Sequence, residues 1–147
     1  MRTAMTTAII TMRMTTTMIM ITIDPEMETI QFVNAGHNPC YVLTDGRVEQ
    51  LRSHGLPIGI LGGSKYMTQT RPFAAGSTVV LYSDGMNEAE NIAGDEWGNE
   101  AFEELLVRSA GSTAVGLRDA IAAAVDAFVG EAPQKDDQTL VIARSAS

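Results

Sequence analysis

Apolar and polar positions alternate along residues 17–23, with Ile19, Ile21 and Ile23 on one face and Met18, Met20 and Thr22 on the other. That period of two predicts a strand, and because both faces are largely apolar it is expected at the centre of a sheet. Asp24-Pro25-Glu26 supplies a turn and residues 28–33 return as a second strand. Residues 40–44 and 47–51 flank Asp45-Gly46, a strong hairpin signal. Residues 53–63, rich in Gly and holding Pro57, read as an ordered loop over one end of the sheet. Residues 66–73 predict another strand. Residues 78–82, β-branched and aromatic between Gly76 and Asp84-Gly85, predict a strand buried on both faces.

After Gly85 the period changes to that of a helix. Residues 86–90 are expected to make one helical turn, and residues 92–98 a loop carrying the single Trp. Asn99 is expected to cap a helix over 100–109 whose Phe102, Leu105 and Leu106 form one stripe. Ser112 or Thr113 caps the next, where Leu117, Ile121, Val125 and Phe128 recur at helical spacing before Gly130 and Pro133. Residues 136–143 predict a last strand. Antiparallel strands covered by two helices make an α+β domain.

Composition narrows the function classes. With 147 residues and 45% hydrophobic content the chain can bury one core. A net charge of −8, with ten scattered basic residues, argues against nucleic acid as a partner. The one cysteine, Cys40, excludes an internal disulfide and reads as a packed thiol beside Tyr41-Val42-Leu43, in keeping with a reducing cytoplasm. Residues 1–14 are rich in Thr and Met, but Thr interrupts the apolar run and Arg13 stands where it would continue, so they make a poor targeting signal. No stretch approaches the roughly 18 apolar residues that cross a bilayer.

Two acidic elements carry the candidate chemistry. Asp84 stands where the 78–82 strand ends, and Asp136-Asp137 stand where the last strand begins. If those strands are antiparallel neighbours, Asp84 and Asp136 come within reach of one cation, for which hard carboxylate oxygens suit Mg²⁺ or Mn²⁺. Each element also has a plainer reading: Asp84-Gly85 as a turn out of the strand, and Asp136-Asp137 as a solvated turn after Pro133.

Asn34-Ala-Gly-His-Asn-Pro39, Gly55-Leu-Pro-Ile-Gly59, Tyr82-Ser-Asp-Gly85 with Glu88-Ala89, Trp97-Gly98 and Asp136-Asp137-Gln-Thr139 follow one another in the order and approximate spacing of a known family. From about Thr17 onward the chain resembles the bacterial SpoIIE-like serine phosphatases, metal-dependent enzymes of the type 2C-like (PPM-type) group. The family's domain opens with a Gly-Gly-Asp segment whose Asp bridges two metal ions, and this sequence contains none. It therefore resembles the C-terminal portion of the domain, residues 15–147, with residues 1–14 in the place of the end of a helix and the following loop.

The resemblance implies an antiparallel β-sandwich flanked by helices, with the N-terminal part of the fold missing and an apolar sheet edge left open for self-association. It implies hydrolysis of phosphoserine or phosphothreonine on a regulatory protein, of the anti-sigma-factor antagonist type used in partner switching. Two Mn²⁺ or Mg²⁺ ions in the complete domain would activate a bridging water. Asp84 and Asp136 match the family's catalytic metal ligands, and Asp137 and Gly85 would support them. His37 reads on its own as a hydrogen-bonded loop residue. By resemblance it stands where more distant relatives carry an Asp that helps to hold a further metal, and so would line the site. A different class is open as well: a catalytically inactive phosphatase-like module that binds proteins.

Overall fold

The computed structural model describes residues 7–13 and 16–146. Its first sheet is organised by the alternation along β2 (Met18–Asp24), where Ile19, Ile21 and Ile23 are buried and the intervening side chains are not. β2 pairs antiparallel with β1 (Ala8–Arg13) on one side and β3 (Thr29–Ala35) on the other, and β6 (Gln69–Pro72) closes the order β1-β2-β3-β6. The second sheet runs β5-β4-β7-β8, from β5 (Arg47–Leu51) and β4 (Cys40–Thr44) to β7 (Thr78–Tyr82) and β8 (Leu140–Arg144), antiparallel throughout. Short helix α1 (Asp84–Asn87) follows β7, and α2 (Gly98–Arg108) and α3 (Ala114–Val129) precede β8.

The second sheet is covered on both faces, which is why all five residues of β7 are buried. Val42, Val79 and Leu81 meet Ile19, Ile21, Ile30 and Phe32 of the first sheet. Tyr41, Leu43, Val80 and Tyr82 meet Phe102, Leu106, Leu117, Ile121 and Val125 from α2 and α3. Each such side chain contributes about 1.5–3 kcal/mol on burial. Tyr82 and Phe102 pack at 4.6 Å between ring centroids, and the Tyr41 hydroxyl donates to Glu103 Oε1 at 2.9 Å, tying α2 to the sheet. This is the α+β class that the hydrophobic pattern predicts and the helix-flanked sandwich that the resemblance implies. Among the described residues no helix is long and apolar enough to cross a membrane.

Several local expectations are corrected. Residues 8–13 form a strand where the resemblance implied a helix end or loop; their β-branched content favours extension, and Met12 reaches the inter-sheet core. The rest of that expectation, residues 1–6 and 14, lies outside the described residues. β2 is internal to its sheet, but Met20 is 41% exposed because no described helix covers the outer face. The strand expected over 66–73 is limited to Gln69–Pro72. Helix α2 begins at Gly98 behind Trp97, so Asn99 is not its cap; the Asn99 side chain instead accepts from the Tyr82 hydroxyl at 3.3 Å. Thr113 does cap α3, accepting from the Gly116 amide at 3.1 Å. The last strand begins at Leu140, which leaves Asp136 and Asp137 in the loop before it.

Candidate functional site

The register of β7 on β8 pairs Thr78 with Arg144 and Tyr82 with Leu140, so the end of one strand meets the start of the other. Ser83 is the branch point. Its backbone amide donates to the Thr139 carbonyl at 2.9 Å, continuing the ladder by one bond, while its own carbonyl accepts from Met86 at 3.0 Å and starts α1. With that carbonyl engaged, the Thr139 amide turns to the Ser83 hydroxyl at 2.9 Å. The same hydroxyl donates to the Asp137 carbonyl at 2.9 Å.

Asp84, half-buried, is the first residue of α1, and its Oδ1 accepts from the Gly85 amide at 3.1 Å. Gly85 is buried against the opposite loop: a Cβ there would stand 2.5 Å from the Asp137 carbonyl oxygen and 3.4 Å from the Asp136 carbonyl carbon. Only glycine admits that approach without displacing backbone. Asp136 and Asp137 are both exposed. Asp136 Oδ1 accepts from the Asp137 amide at 2.7 Å, and the Asp136 carbonyl accepts from Gln134 Nε2 at 2.7 Å. It is thus the backbone of Asp137 that anchors the loop.

The electrostatics point the same way. Partial burial, and then the charges of Asp84, Glu96 and Asp136, push the Glu88 carboxyl above its ordinary range. Glu88, Glu96 and Asp136 line an acidic cleft of about 260 Å³ together with Gly85, the residue after Asp84, and Lys135 is ion-paired to Glu90 in its wall. A divalent cation would relieve that repulsion, and hard carboxylate oxygens suit Mg²⁺ or Mn²⁺. Among the described residues no three His, Cys, Asp or Glu side chains converge into a ready-made ligand set. The donors therefore fit a single ion held by few protein ligands, and do not by themselves form a two-ion centre.

His37 stands apart from the cleft. It is buried in the loop after β3, where its backbone amide donates to Asn34 Oδ1 at 2.9 Å. Nδ1 lies 3.0 Å from the Asn38 carbonyl, which can only accept, so Nδ1 carries the proton. Nε2 is buried without a partner among the described residues. The loop does reach α1, through Asn38 Nδ2 donating to Asn87 Oδ1 at 3.5 Å. Backbone contact thus brings Gly85 against Asp136 and Asp137, with Asp84 its chain neighbour, and His37 is not among the residues that line the cleft. Sequence reasoning missed Ser83 and Glu96; the available signal for Ser83 was a hydroxyl residue placed between a buried strand and Asp-Gly.

Residues 2–146 match the family described as Stage II sporulation protein E (SpoIIE). Protein IcfG of Synechocystis is 24% identical over 131 residues, covering 88% of this chain and 20% of its own length. The SiaA-PP2C domain of Pseudomonas aeruginosa superposes with a TM-score of 0.76 at 26% identity, over 87% of this chain and 51% of that one. A structure of the PP2C phosphatase domain of SpoIIE from Bacillus subtilis, with a fragment of its regulatory domain, superposes at 0.68 with 21% identity, over 87% and 37%. The chain thus spans a fifth of the curated relative and about half of the SiaA domain structure.

Proposed function

The chain belongs to the SpoIIE family, and from that premise we propose that it is the metal-binding part of a protein serine/threonine phosphatase. The substrate is a phosphoserine or phosphothreonine of a regulatory protein, of the anti-sigma-factor antagonist type used in partner switching. One observation carries the reading: Gly85 lets the Asp136-Asp137 backbone lie directly on the first turn of α1, which opens with Asp84.

In this reading the Asp84 and Asp136 carboxylates hold Mn²⁺ or Mg²⁺. The ion, when bound, supplies the positive charge that activates water and offsets charge on the phosphoryl oxygens. Asp84 keeps a fixed orientation because its Oδ1 is held by the Gly85 amide. Asp137 contributes its backbone, which fixes the loop, and leaves its carboxylate to solvent and neighbouring groups. Glu88 and Glu96 make the cleft repel a phosphate dianion, so substrate entry depends on a bound cation. The complete two-ion centre needs the Asp of a Gly-Gly-Asp segment, which this sequence lacks.

The sparse ligand set favours one second reading, an inactive phosphatase-like module that binds proteins. Manganese-dependent hydrolysis of a phosphoserine peptide separates the two. The 147-residue chain should turn over barely or not at all. The chain extended by a Gly-Gly-Asp segment from a relative should hydrolyse the peptide, and Asp84→Asn or Asp136→Asn should abolish that activity. An extended protein that folds and binds Mn²⁺ but never turns over would favour the inactive module.

A further inference from the structure

We propose that Ser83 is a positioning residue that sets the separation of the two carboxylates by fastening the Asp136-Asp137 loop to the strand end that carries Asp84. The inference rests on reading Asp84 and Asp136 as ligands of one ion. Ser83 is 5% exposed, and every polar group it owns is hydrogen-bonded, the amide and hydroxyl across to the facing strand and loop. The amide holds the Thr139 carbonyl, the carbonyl holds the Met86 amide, and the hydroxyl bridges the Thr139 amide and the Asp137 carbonyl, each at 2.9–3.0 Å.

The hydroxyl's place in this arrangement is specific. β-ladder pairing stops at Tyr82 and Leu140 because the Ser83 carbonyl is diverted into α1. The Thr139 amide then has no backbone acceptor opposite it, and the side-chain oxygen supplies one. By donating onward to the Asp137 carbonyl, the same oxygen draws the loop over Gly85. One hydroxyl thus replaces two backbone contacts at the point where the chain leaves the sheet, with Asp84 next to it on one strand end and Asp136 next to the fastened Asp137 in the facing loop. Alanine at Ser83 would leave a donor and an acceptor unmatched and let the loop move, while threonine keeps the hydroxyl.

The test is the affinity of the 147-residue chain for Mn²⁺ alone, read from the free-ion electron paramagnetic resonance signal, with folding checked by circular dichroism. Asp84→Asn and Asp136→Asn serve as references. Ser83→Ala should weaken Mn²⁺ binding about tenfold or more, as removal of a ligand-orienting group does, and Ser83→Thr should restore it. Gly85→Ala, which forces the loop away by sterics with the hydroxyl intact, should weaken it too. If neither Asp variant changes the affinity, the site itself is misassigned. If both Asp variants weaken binding but folded Ser83→Ala binds like the parent, the positioning role is overturned, and a lowered melting temperature at unchanged affinity would mark Ser83 as structural only. Should Ser83→Ala fail to fold, Gly85→Ala decides, and unchanged affinity there overturns the proposal.

Discussion

Gly85 and Asp137 touch backbone to backbone: the position of a Cβ on Gly85 lies 2.5 Å from the Asp137 carbonyl oxygen, closer than any real side-chain carbon sits. Fifty-two residues separate them in sequence, and their contact closes the open end of the β7–β8 pair. Gly85→Ala should therefore overpack this end and cost about 1–3 kcal/mol of stability. Urea denaturation of the two proteins measures it, and a midpoint equal to the parent's would mean that the loop is free to shift.

Cys40 yields a pH prediction. Burial pushes its thiol from the ordinary value of 9.0 up to about 12, so the folded chain keeps a proton that the unfolded chain releases above pH 9. Stability from this group is complete below pH 9 and is lost as pH rises towards 12. Native protein should resist a thiol-specific disulfide reagent at pH 8 and react stoichiometrically in denaturant. Rapid modification of the folded protein would contradict the burial.

The bounds of β4, β5 and β7 coincide with those the hydrophobic pattern predicts, because the determinants are local. Asp45 and Gly46 adopt φ of 49° and 74°, the left-handed pair that a tight two-residue hairpin requires and that Asp-Gly tolerates. The start of β8 was not legible in the same way. It is decided by the Ser83 carbonyl, more than fifty residues away, turning into α1 and leaving the Thr139 amide to the Ser83 hydroxyl. β1 was missed for a related reason: its Ile-Ile-Thr run favours extension but is too short to mark a strand by itself, and pairing with β2 makes it one. Asp84 and Asp136 were singled out by their places beside two apolar runs together with the family resemblance, whereas Glu96 enters the cleft only through the fold.

The outer face of the first sheet is the place to look for self-association. Ile9 on edge strand β1 is 68% exposed, and Met20, on β2 two residues from Ile9's partner Thr22, is 41% exposed. An apolar, unpaired edge recruits another chain. Sedimentation velocity should show a dimer or larger species that grows with concentration and is reduced by Ile9→Lys. A monomer at all concentrations would remove the edge from consideration.

The central claim is that Asp84 and Asp136 act on the same ion, and a double-mutant cycle in Mn²⁺ affinity tests it most directly. Asp84→Asn and Asp136→Asn should each weaken binding, and the double variant should bind scarcely more weakly than the worse single one, because either loss already dismantles the shared site. Losses that simply add would place the two carboxylates on separate ions, and an affinity untouched by either substitution would put the metal elsewhere.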